Sequence, residues 1–229
     1  IFEKIQNLLT KSTPFACYLK PNESKWNLLW QESEELISFC GQSGFVFAPF
    51  NAGEKVVIPF NELNFHKGDF DCFEVDLSNS SFPQTDSIQK ENFEKLVSNG
   101  VSAIRNGEFQ KVVLSRKIVF NESISEVETF KNLVVTYSTA FRYLFYHPKV
   151  GLWMGATPEQ LLKINKNHFE TVALAGTQLH TENIVWNKKE IEEQQFVTDF
   201  IVDSIKSKVQ NLKISDVKTI KTGNLAHLK

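Results

Sequence analysis

The sequence is short of the residues that announce several common chemistries. It has three cysteines, Cys17, Cys40 and Cys72, too far apart for a CxxC or a Cys/His metal spacing. That excludes a zinc ribbon, a redox dithiol and a disulfide framework, and predicts buried or half-buried free thiols in a reducing compartment. It has no basic excess: 25 Lys and Arg stand against 27 Asp and Glu, a net charge of −2. Nucleic-acid binding by bulk positive charge is thereby excluded. No run approaches the roughly 18 apolar residues of a membrane span, and no signal peptide is visible, so the expected location is the cytoplasm. No glycine-rich nucleotide-binding pattern occurs, and there is no internal repeat or low-complexity tract. What is present is an ordinary soluble composition, 41% hydrophobic and 23% charged, with an unusual 20 phenylalanines. At roughly 150 residues per domain, 229 residues make about one and a half domains. The chain begins at Ile1 and stops at Lys229 in an apolar, strand-like run, as expected of a piece of a longer protein.

Periodicity divides the chain. Residues 1–12 carry Ile1, Ile5 and Leu8/Leu9 at helical spacing. Phe15 to Leu19 reads as a strand ending at the turn Pro21-Asn22-Glu23-Ser24. Residues 44–50 and 55–60, flanking Asn51-Ala52-Gly53-Glu54, read as a hairpin. The polar stretch 78–87 reads as a linker, which suggests a subdomain of residues 1–85 followed by a larger one of residues 86–229. In the latter, the pattern predicts helices over 88–106, 126–138 and 188–209. It predicts strands over 109–120, 141–147, 150–156, 160–165, 168–174, 214–221 and 224–228. Strands in adjacent pairs with occasional helices argue an α+β fold with a largely antiparallel sheet.

Five places in this order carry candidate chemistry. Lys111 opens the strand-like Lys111-Val112-Val113-Leu114-Ser115-Arg116, apolar on both faces. It is either a strand-end lysine reaching solvent, the commoner case, or a desolvated base. Glu159, at the exit of Gly155-Ala156-Thr157-Pro158-Glu159, is either a solvated turn residue or a general acid in apolar surroundings. Gly176 and Thr177 end a strand, where a glycine admits close backbone approach and a threonine adds a hydroxyl; a plain turn is the alternative. The stripe Val197, Phe200/Ile201, Ile205, traced backward, passes through Glu193 and Glu190. Two carboxylates at i, i+3 on a face turned inward suit Mg²⁺, whereas Glu190 also stands where a capping box to Asn187 would place it. His227 is read from its pattern as a packed histidine.

Taken together, Gly107-Glu108-Phe109-Gln110-Lys111-Val112-Val113-Leu114-Ser115-Arg116, Met154-Gly155-Ala156-Thr157-Pro158-Glu159, Ala173-Leu174-Ala175-Gly176-Thr177, Lys189-Glu190-x-x-Glu193 and Asn224-Leu225-Ala226-His227-Leu228 resemble the chorismate-utilising enzymes. That family includes isochorismate, salicylate, anthranilate and aminodeoxychorismate synthases. The likeness covers about residues 88–229, and Phe45 to Phe50 suggests the family's variable N-terminal portion. It implies two packed, largely antiparallel sheets with helices outside, here truncated, and chorismate as a small-molecule substrate. It implies Lys111 as the base that activates water at C2 and Glu159 as the acid that protonates the departing C4 hydroxyl. Gly176, Thr177 and His227 match substrate-contact motifs, and Glu190 and Glu193 match half of a Mg²⁺ site. Lysine at 111 goes with water rather than ammonia as nucleophile, and alanine at 175 departs from the aminodeoxychorismate branch. Isochorismate synthase, in menaquinone or siderophore biosynthesis, is the expectation. Salicylate synthase is the alternative enzyme, and a non-catalytic fragment or assembly module the alternative of another class. The family runs well beyond His227, so the 229-residue chain alone is expected to be inactive. Nothing in the sequence fixes an oligomeric state.

Overall fold

In chain order the elements are α1 (Phe2–Thr10), β1 (Phe15–Leu19), β2 (Lys25–Trp30), β3 (Gly44–Phe47), β4 (Val56–Pro59), β5 (Phe65–Asp69), α2 (Ser87–Arg105), α3 (Glu126–Thr136), β6 (Phe141–His147), β7 (Gly151–Thr157), β8 (Lys163–Asn165), β9 (His168–Glu170), β10 (Ala175–Leu179), α4 (Lys188–Ile205), β11 (Thr219–Thr222) and β12 (Leu225–Leu228). They come from a computed structural model that describes residues 1–70, 86–120 and 123–229. Every strand pairing among the described residues is antiparallel, which gives the expected α+β class. The residues fall into two compact units, Ile1–Val75 with Ile124–Glu159, and Asp76–Ser123 with Gln160–Lys229. These units interleave along the chain, whereas the 1–85 and 86–229 division follows its order. The linker read over 78–87 lies, up to residue 85, outside the described residues.

The first unit is a five-stranded sheet in the order β5-β2-β1-β6-β7. Strand β1 sits at its centre, and alternation sends its side chains to two different layers. Phe15, Cys17 and Leu19 join Ile5 and Leu8 of α1 and Val127, Phe130 and Val134 of α3. Ala16, with Leu29 of β2 and Phe145 of β6, meets Val56 and Ile58 of the β3–β4 hairpin on the other face. Much of the phenylalanine is used there: Phe47 stacks on Phe145 with ring centroids 4.4 Å apart, and Phe45 lies against Tyr18 and Tyr143. Phe145 is fully buried, which contributes about 1.5–3 kcal/mol, and Phe45 and Phe47 are half-buried against it. The close packing extends to Gly155 of β7, where a Cβ would lie 2.9 Å from the Tyr143 ring.

Burial separates the thiols. Cys17 is fully buried, and desolvation pushes its thiol up to about 12. Cys40 is exposed, against the expectation that the thiols are all covered, and Cys72 lies outside the described residues. Peptide-resolved alkylation of the native protein with iodoacetamide is therefore expected to label Cys40 and spare Cys17. Equal labelling would contradict the packing of β1.

In the second unit, β10, β12 and β11 form a three-stranded sheet in that order, and β8 and β9 a separate hairpin. Helix α2 forms where periodicity put it, N-capped by the Asp86 carboxylate accepting from Ile88 N–H at 3.0 Å. Residues 109–120 are the main correction: they form no strand. A segment apolar on both faces needs ladder partners at its edges, and none of the described strands hydrogen-bonds to it. It runs instead beside α2, where a Cβ at Gly100 would stand 3.4 Å from Val112 and Leu114, and Arg116 lies 5.9 Å from the Phe93 ring. Phe200 of α4, placed by the pattern on the inward face, is 73% exposed. No helix among the described residues is long and apolar enough to cross a membrane.

Candidate active site

The second unit draws its candidate residues together around the first turns of α4. The helix starts after Asn187, which is extended (φ −77°, ψ 162°) and whose side chain makes no cap hydrogen bond. Glu190 and Glu193 are then one turn apart on the helix, with side chains 19% and 26% exposed. Lys111, 82 residues away in sequence, donates from Nζ to Glu193 Oε1 at 2.8 Å. Lys189 donates to the other oxygen, Oε2, also at 2.8 Å. Both oxygens of Glu193 thus carry an ammonium partner. Glu190 differs: its Oε2 is buried with no hydrogen-bond partner, and its Oε1 stands 3.9 Å from Lys189 Nζ. No bond to the Asn187 backbone is made, so the capping-box alternative for Glu190 is not realised.

Gly176 explains the approach of sheet to helix. The β10–β12 register is interrupted between Ala175 and Thr177, a bulge in which Gly176 takes φ +71°. A Cβ there would stand 3.3 Å from both Cβ and the carbonyl oxygen of Glu190. Glycine is required by conformation and by space together. Gly176→Ala is expected to cost about 1–2 kcal/mol in urea unfolding; no measurable loss would contradict this close approach. Past the bulge, Thr177 Oγ1 and His227 Nδ1 share a hydrogen bond of 3.1 Å across β10 and β12, with His227 buried. On the buried face of α4, Gln194 donates to Ala173 O at 3.4 Å and to Thr198 Oγ1, one turn on in the same helix, at 3.1 Å.

Burial pushes the Glu193 carboxyl up, but the hydrogen bonds and charges of Lys111 and Lys189 outweigh it, and the group sits below the usual carboxylate range. The Glu193 hydrogen bond in turn raises Lys189 above the ordinary lysine value, against a lowering by burial. A carboxylate whose folded pKa is depressed stabilises the fold above its unfolded value, about 4.3, and loses that contribution as pH falls through the folded value. The urea-midpoint difference between wild type and Glu193→Gln is therefore expected to be full at pH 6 and to shrink toward pH 3. A difference independent of pH would contradict the ion pairs.

Glu159 belongs to the other unit. It is exposed, and its carboxylate accepts from the Thr157 hydroxyl, so the apolar setting anticipated for it is not what surrounds it here. Two residues of the site escaped the sequence reading, Lys189 and Gln194. The first had a signal in its i, i+4 spacing to Glu193, a spacing that pairs opposite charges on a helix. The second had none beyond its place beside Glu193.

The donor set suits a hard divalent cation. Magnesium takes oxygen ligands and retains several waters, so two carboxylates one helical turn apart are enough protein ligation to begin a site. The buried, unpartnered Glu190 Oε2 is a desolvated acceptor that such an ion would satisfy. No cluster of three or more His, Cys, Asp or Glu exists among the described residues.

Comparison with known proteins decides the family. The family described as chorismate binding enzyme matches residues 71–229, more than half of the chain. The chain belongs to the chorismate-binding enzymes. Its backbone superimposes on a putative 2,3-dihydroxybenzoate-specific isochorismate synthase, DhbC, from Bacillus anthracis, with a TM-score of 0.73 at 15% identity, covering 100% of this chain and 69% of that one. The menaquinone-specific isochorismate synthase MenF of Escherichia coli gives a TM-score of 0.62 at 11% identity, covering 94% of this chain and 63% of that one. These likenesses show the fold. In sequence, the chain is 31% identical over 88 residues to anthranilate synthase component 1 of Archaeoglobus fulgidus, covering 38% of this chain and 21% of that protein. It is 22% identical over 144 residues to isochorismate synthase MenF of Haemophilus influenzae, covering 58% of this chain and 34% of that protein. The chain thus spans between about a fifth and a third of these two curated relatives' length.

Proposed function

We propose that the intact protein is an isochorismate synthase: it adds water at C2 of chorismate and expels the C4 hydroxyl, with Mg²⁺. The observation that carries this reading is the contact of Lys111 with Glu193, which sets a candidate base against the carboxylate pair of α4. Lys111 takes the proton of the attacking water. Glu159 gives a proton to the C4 oxygen, because hydroxide is a poor leaving group. Gly176 offers its backbone to the substrate, and the bonded pair Thr177 and His227 offers polar side chains beside it. Glu190 and Glu193 would hold Mg²⁺, which supplies the positive charge that a dicarboxylate substrate needs beside an acidic protein. The resemblance to the chorismate-utilising enzymes pairs lysine at this position with water and glutamine with ammonia, which supports water as the nucleophile here.

The pathway is that of menaquinone or a siderophore, and the location the cytoplasm. For the 229-residue chain by itself we infer no useful turnover, since its described residues offer the proposed Mg²⁺ only Glu190 and Glu193 and the chain covers 69% of the DhbC structure. Incubating the intact protein with chorismate and Mg²⁺ tests the reading by its product. Isochorismate alone supports it, salicylate with pyruvate moves it to the salicylate synthases, and no conversion of chorismate refutes it. Glu159→Gln is expected to lose most turnover while keeping the wild-type melting temperature; full activity would remove Glu159 from the role of acid.

A further inference from the structure

Resting on that reading of the site, we propose that Lys111 and Lys189 are resident counter-ions of Glu193 that a divalent cation displaces. Cation binding and release of Lys111 from its ion pair are then one event. Each oxygen of Glu193 holds an ammonium at 2.8 Å, one from Lys111 and one from Lys189. A second carboxylate, Glu190, stands one turn away with a buried oxygen that has no partner. Cation and ammonium on one carboxylate repel strongly at such short separations, so Glu190 and Glu193, if they held a divalent cation, would release the ammonium groups from Glu193.

The two lysines are held unequally. Lys189 is 74% exposed and reaches Glu193 at i, i+4, so it leaves readily into water. Lys111 is 27% exposed and comes from a distant part of the chain. Its departure from Glu193 moves the candidate base, so an enzyme without its cation keeps that base tied to a carboxylate. Lys189 acts here as a positioning residue: it holds Glu193 charged and in place until the cation arrives.

Direct binding of Mn²⁺ to the intact protein by calorimetry, without substrate, tests this. Lys189→Met is expected to bind Mn²⁺ about three- to tenfold more tightly than wild type, and Lys189→Arg to restore wild-type affinity. A merely structural lysine would leave affinity unchanged or weaken it when removed, and either result overturns displacement. Glu190→Gln with Glu193→Gln is expected to abolish binding. Unchanged Mn²⁺ affinity in that double variant refutes the site itself; lost affinity there without tightening in Lys189→Met refutes displacement alone. Independently, with ¹³C-methylated lysines, the Lys111 resonance is expected to shift along a Mg²⁺ titration with the midpoint of Mg²⁺ binding. A Lys111 resonance that stays still at saturating Mg²⁺ overturns the coupling.

Discussion

Lys111→Ala in the intact protein is expected to lower kcat on chorismate by about a hundred- to ten-thousandfold, the range for removing a positioned general base. KM is expected to change far less, because a base that acts on water contributes mainly in the transition state. The fold should survive. Lys111 is part-exposed, its loss leaves Glu193 paired with Lys189, and no core side chain depends on it. Steady-state kinetics beside a thermal melt check both halves. A variant that is fully active, or one that is inactive only because it has unfolded, would each remove the ground for assigning the base to this lysine.

The largest expected effect on stability lies in the other unit, at Arg142 of β6. The residue is 3% exposed, and its guanidinium has no carboxylate partner among the described residues. It donates to three backbone carbonyls: Lys20 O at 2.8 Å, Glu23 O at 3.0 Å and Val134 O at 3.3 Å. The first two belong to the turn after β1, and the third to the last turn of α3, where unpaired carbonyls favour a cation. Arg142 therefore ties sheet, turn and helix together. Arg142→Ala removes a donor from each of those carbonyls, leaving Lys20 O with the Glu23 N–H at 3.1 Å, and opens a cavity, at an expected cost of about 3–5 kcal/mol. Urea unfolding of the variant measures it; a loss below about 1 kcal/mol would show that water replaces the guanidinium without cost.

Legibility in the sequence followed how local each signal was. The strand Phe15–Leu19 and the hairpin of β3 and β4 announced themselves by apolar and aromatic runs between turn residues, and they formed as read. Strand β2 went unread because Lys25-Trp26-Asn27-Leu28-Leu29-Trp30 has no clean alternation. It is a strand because β1 and β5 pair with it on either side. Residues 109–120 have the opposite history. Their pattern is strand-like, but the pattern cannot supply partners, and without a ladder among the described strands they form no strand and lie beside α2. The grouping of interleaved units was also hidden, since β6 joins β1 across more than a hundred residues.

Motif order named Lys111, Gly176, Thr177, Glu190, Glu193 and His227 as candidates, and these lie in one unit, whereas Glu159 lies in the other. Helical spacing explained why Glu190 and Glu193 share a turn. It could not show that one carboxylate is fully paired while the other keeps a bare buried oxygen, because that difference depends on Lys111 arriving from far along the chain. Lys189 stands in the motif Lys189-Glu190-x-x-Glu193, and its i, i+4 spacing to Glu193 is the signal from which its role was readable.

The most direct test of the account follows the oxygen. The intact protein is incubated with chorismate, Mg²⁺ and ammonium in ¹⁸O-labelled water, and the product is analysed by mass spectrometry. The account predicts isochorismate carrying one ¹⁸O, in the hydroxyl at C2. Isochorismate without the label, or anthranilate as the product, would contradict it.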